Sequence, residues 1–190
     1  MKSRAQKCGW YVFSRNLTDK ELEGYQKFAP SPIKFIGGGA SKIVNLPGVG
    51  FIKIYNLLQR AANEIQSILV NNKVHTIDTG AISHGGAIGL AESNRPGVIR
   101  VDVNRIVDSI RNQALPPNTQ LDGTMVDNDV KNSIIQKIEG AILQELVRVI
   151  AHESKHMSDY FKSLKDTGQF SSSESGATSF GDEIARKYNY

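Results

Sequence analysis

The chain has 190 residues, of which 39% are hydrophobic and 22% charged, with a net charge of +4. That length and balance suit one globular domain and exclude a disordered or fibrous chain. No apolar run approaches the ~18–20 residues of a membrane span, and the basic start over residues 1–10 has no apolar core behind it, so neither a span nor a secretory leader is expected.

The basic excess is spread along the chain, not gathered into a stripe with aromatic platforms. A solvated surface is therefore expected, with no nucleic-acid or membrane partner. A single cysteine, Cys8, excludes an internal disulfide framework and a cysteine zinc cage. A reducing cytoplasm fits that usage best.

Residues 1–50 read as an extension distinct from the rest. Thr18, with Glu21 three positions on, marks a short helix start. Pro30-Ser31-Pro32 then breaks the chain. Short strands are expected at residues 33–36, 43–44 and 51–55 around glycine turns. Gly37-Gly38-Gly39 with Lys53 downstream has the look of a phosphate-gripping loop, but no other nucleotide motif follows, so a turn is expected.

Residues 51–190 are expected to form the main domain. Leu57, Leu58, Ala61, Ala62, Ile65, Ile68 and Leu69 recur at helical spacing over residues 56–71. Strands follow at residues 73–78, 87–91 and 98–103, separated by glycine-containing loops. The alternation in the last of these predicts one buried and one wet face. A short helix is expected at residues 106–111, then a loop carrying Pro116-Pro117. Residues 129–164 are strongly helical, with Ile134, Ile135, Ile138, Ile142, Leu146, Val149 and Ile150 on the apolar side. An unbroken helix there spans on the order of 50 Å, long for a small domain, so a break or bend is expected near Gly140. A last helix opens at Ser171-Ser172-Ser173 and ends near Tyr188. The order of helix, strands and two further helices predicts an α+β fold, a small mixed sheet packed on the long helix and the C-terminal one.

The chemistry is concentrated in His152-Glu153-Ser154-Lys155-His156. Residues at i and i+4 share a helix face, so both imidazoles can meet one Zn²⁺ at ~2.0–2.1 Å. Glu153, one position round the helix, can serve as general base toward a water activated by the ion. With four histidines in the chain, this HExxH is expected by chance on the order of 0.004 times. Val149-Ile150-Ala151 before it supply the apolar approach of a buried helix.

On this motif the chain resembles the zincin metallopeptidases, and in particular the compact gluzincins known as minigluzincins. The resemblance is strong over residues 149–156 and weaker over residues 174–184. It implies a zincin-like domain, zinc-dependent hydrolysis of a peptide or protein substrate, and Glu174 as third ligand. Glu174-Ser175-Gly176-Ala177-Thr178-Ser179-Phe180 is similar to the ExxAxxF helix that carries that ligand, 18 positions after the second histidine.

Three other readings bear on the ligand set. Ser171 precedes Glu174 by three residues, the spacing of a capping box that would claim the same carboxylate. Glu183 lies on the same helix. Asp159, two turns after His152, shares its face and serves either as third ligand or as an orienting partner of a ligand histidine. Glu145, two turns before, is a weaker orienting candidate. His84, Tyr160 and Tyr188, with His75, are available to stabilise an oxyanion, and residues 98–103 are the expected sheet edge for an extended substrate.

Two residues depart from the zincin pattern: Lys155 is charged and Ser158 polar where uncharged and apolar residues are usual. They support a second reading, a catalytically weak or inactive zincin scaffold acting through residues 1–50 in a larger assembly such as a virus particle. A structural zinc site with a fourth ligand, Asp159 or His84, is a third.

Overall fold

The computed structural model describes residues 32–83, 85–114, 127–167 and 172–188. Strand β1 (Lys34–Ile36) leads through a 3-10 turn at Gly38–Ser41 into a hairpin of β2 (Ile43–Leu46) and β3 (Gly50–Lys53). The chain turns there at Gly48, whose φ of 74° favours glycine, and Val49 N–H donates to Leu46 O at 2.9 Å. The boundary expected at residue 50 thus falls inside a hairpin. Val44 and Leu46, from before it, are buried in the same core as the later helices. The helix expected from Thr18 lies outside the described residues.

The single helix expected over residues 56–71 is two, α1 (Ile54–Glu64) and α2 (Gln66–Asn71), parted at Ile65. Ile54, Leu57, Leu58, Ala61 and Ala62 form the buried stripe of α1 at i, i+3, i+4, i+7 and i+8. Strands β4 (Thr76–Asp78), β5 (Gly89–Ala91) and β6 (Val98–Val101) come next, then α3 (Val103–Ala114).

The fold is mixed α+β. Its main sheet has the order β1-β4-β6-β5, with β1, β4 and β6 parallel and β5 antiparallel to β6. Strand β6, expected at the edge, is therefore internal, and the edge beside the long helix is β5. Ile99 and Val101 are fully buried between neighbours on both sides. The expected wet face of that strand also fails at Asp102, which is buried and accepts from Ile82 N–H at 3.0 Å and Arg105 N–H at 3.1 Å.

Helix α4 (Asn128–Thr167) runs 40 residues without a break at Gly140, a length of about 60 Å. Ile138, Ile142 and Leu143 are buried on either side of that glycine. Each such burial contributes ~1.5–3 kcal/mol, which outweighs the ~0.5–1 kcal/mol a mid-helix glycine costs. Helix α5 (Glu174–Lys187) packs along α4 through Ala177 and Gly181. A Cβ at Gly181 would sit 2.7 Å from Arg148 O and 3.1 Å from His152 Cβ, so glycine sets how closely the helices approach. Among the described residues no helix is long and apolar enough to cross a membrane.

Candidate metal centre

Helix α4 presents His152 and His156 one turn apart, and both are buried. The first turn of α5 brings Glu174 over them. His152 Nε2 and His156 Nε2 are 3.1 Å apart. Glu174 Oε1 lies 3.3 Å from the former and Oε2 lies 3.2 Å from the latter. A tetrahedral zinc with ~2.0–2.1 Å bonds holds its ligand atoms about 3.3–3.4 Å apart. The three atoms already stand at nearly that separation, so the donor set fits the ion.

The side chain that caps α5 is not Glu174. Ser173 is the N-cap, and its Oγ accepts from Gly176 N–H at 3.2 Å; Ser171, the expected cap, lies outside the described residues. Glu174 is then the first helical residue, and Thr178 Oγ1 donates to its Oε1 at 3.4 Å.

Burial, with His156 beside it, pushes His152 down to about 4. It is neutral at pH 7, as a ligand must be. Three converging lone-pair donors, two of them buried, repel one another unless a cation or a proton sits between them. Glu153 is fully buried beneath β5, and burial together with the Glu174 carboxylate raises its pKa well above the usual range. Ala91 N–H hydrogen-bonds it and Arg148 adds a weaker opposing pull. Its Oε1 lies 3.8 Å from His152 Nε2, and its Oε2 has no protein partner among the described residues. A Cβ at Gly89 would overlap the same carboxylate, so that glycine lets β5 close over it.

His152, Glu153 and Glu174 open onto a cavity of about 200 Å³ bounded by Gly86–Gly89, Arg148 and Thr178. A larger cavity of about 590 Å³ lies beyond Ile88 and Arg148, between α3, α4 and α5, away from the three ligand atoms. Arg148 is held by Glu145 through Nε at 2.8 Å, which with burial opposed raises its pKa and keeps it charged.

The remaining candidates are placed elsewhere. Asp159 is not among the converging atoms; it accepts from Ser172 Oγ at 3.1 Å, and Ser172 Oγ meets His156 Nδ1 at 2.6 Å. Glu183 is exposed and pairs with Lys187 at 2.8 Å. Glu145 is occupied by Arg148. Tyr160 is buried against Phe161, and Tyr188 Oη donates to Glu64 O at 2.8 Å. His75 meets Thr76 Oγ1 at 2.9 Å at the start of β4. His84 lies outside the described residues. Sequence reasoning did not single out Arg148, Gly89, Ser172 or Gly181 for these roles. Only Arg148, one turn before His152, carried a signal of its own in the helical period.

No protein-family model matches the chain, and no curated protein or solved structure matches it either.

Proposed function

We propose that this chain is a zinc-dependent peptide hydrolase with a zincin-like fold, in which His152, His156 and Glu174 hold the ion and Glu153 is the general base. The observation that carries the reading is the convergence of the three ligand atoms at 3.1–3.3 Å with a buried glutamate beside them. Zinc, when bound, supplies a Lewis acid that polarises a peptide carbonyl and lowers the pKa of a water.

The chain's own groups do the rest. Glu153 receives the proton of the attacking water at Oε2, the oxygen without a protein partner, and returns it to the leaving amine. Arg148 keeps a fixed positive charge on the wall of the same cavity. Strand β5 is the last strand of the sheet on the side of Glu153, and its Ala91 N–H hydrogen-bonds that carboxylate, so β5 holds the base in place.

The test is cleavage of a denatured protein mixture with and without chelator. Chelator-sensitive cleavage that disappears in Glu153→Gln supports the enzyme. No cleavage by protein carrying stoichiometric zinc sinks it in favour of the inactive scaffold.

A further inference from the structure

The charged residue inside the HExxH motif has a place in the structure. Lys155 Nζ pairs with Asp159 Oδ1, one turn on along α4. The other oxygen of that carboxylate, Oδ2, accepts the Ser172 hydroxyl at 3.1 Å. Ser172 Oγ in turn lies 2.6 Å from His156 Nδ1. Because the hydroxyl proton goes to Asp159, Ser172 Oγ is left as an acceptor toward His156, and Nδ1 must then carry the hydrogen. A neutral imidazole protonated at Nδ1 has its lone pair on Nε2, the atom that faces His152 and Glu174.

We propose that Lys155, Asp159 and Ser172 form a positioning relay that locks His156 in the tautomer able to bind metal through Nε2. The relay rests on the metal-site reading above and extends it to the third ligand. Ser172 stands two residues before Glu174 and next to the cap of α5. The bond that fixes the His156 ring therefore also ties down the segment that delivers the Glu174 carboxylate. Lys155 holds the far oxygen of Asp159, so the carboxylate cannot turn away from Ser172. The residue that departs from the zincin pattern thus completes the chain of contacts behind a ligand. Partners of this kind are worth ~10–100-fold in metal affinity.

The experiment uses full-length protein labelled with ¹⁵N in its histidines, stripped of metal, with long-range ¹H–¹⁵N spectra reading the tautomer of each ring. The His156 signals are assigned by their loss in His156→Asn. Wild type is expected to show His156 protonated at Nδ1, with Ser172→Ala shifting it toward Nε2–H. Zinc affinity, measured by chelator competition, should fall ~10–100-fold in Ser172→Ala, less in Lys155→Met, and recover in Ser172→Thr. Melting of the metal-free variants separates this from loss of fold. An Nε2–H ring in wild type, or an affinity loss in Ser172→Ala with the tautomer unchanged, overturns the relay. A wild type that shows the Nδ1–H ring yet binds no zinc leaves the relay standing and overturns the zinc reading instead.

Discussion

The two halves of α4 obey different rules. Over its first turns the helix is amphipathic: Ile134 and Ile135 are half-buried and Ile138 and Ile142 buried, while Asn132, Ser133, Gln136 and Lys137 are exposed. From Val149 to Ser154 six consecutive residues are buried, and the helical period of burial disappears. The first half is an ordinary surface helix whose sequence reports its packing face. In the second half two histidines, a glutamate and a serine lie where apolar residues would be cheaper. A helix that buries polar groups all round has given up stability for a task. The contrast falls on the residues of the HExxH motif themselves.

The comparison is broken most severely by removing the task. Glu153→Gln should lower peptide hydrolysis by ~10²–10⁴-fold while zinc content, read by elemental analysis, stays as in wild type. If the variant retained full activity, Glu153 would not be the base. Closing the space the site needs comes next. Gly181→Ala forces α5 away from Arg148 O and His152 Cβ; it should cost ~1–3 kcal/mol in denaturant unfolding and weaken zinc binding, because Glu174 rides on the displaced helix. A variant as stable and as zinc-competent as wild type would show that the close approach of the helices is incidental.

A pH dependence sharpens the same contrast. The folded-state pKa of His152 is lowered from 6.5 to about 4, so its protonation favours unfolding. In metal-free protein its contribution is whole above about 6.5 and is lost as pH falls toward 4, amounting to on the order of 3 kcal/mol. His152→Gln should flatten the acid limb of the stability curve over that window, and an unchanged limb would put the burden on other groups. The smallest effect is expected outside the contrast altogether: Glu183→Ala, on the exposed side of α5, should leave zinc content and melting temperature unaltered. Loss of zinc there would reopen the ligand assignment.

The parts of the molecule legible in the sequence are those set by local spacing. The i, i+4 histidines, the apolar stripe of α1 and the start of α5 near residue 174 follow from helix geometry, and the structure places them as expected. Long-range pairing was not legible. Residues 98–103 read as the edge by resemblance to the zincin substrate strand, whereas β5, three residues of Gly-Leu-Ala, has too short a signal to show that it ends the sheet. Gly140 reads as an interruption because propensity is local, whereas the helix runs through it with Ile138 and Leu143 buried on either side. Ser172 is ambiguous for the same reason. Its hydroxyl could cap a helix or bind a ring, and the choice depends on Asp159, 13 residues away.

The central claim is tested most directly by zinc stoichiometry in purified wild type, His156→Ala and Glu174→Ala. Close to one zinc per chain in wild type, lost in both variants, is the result expected of a His-His-Glu site. A wild type that takes up no zinc after reconstitution, or a Glu174→Ala protein that holds it as well as wild type does, would contradict the account.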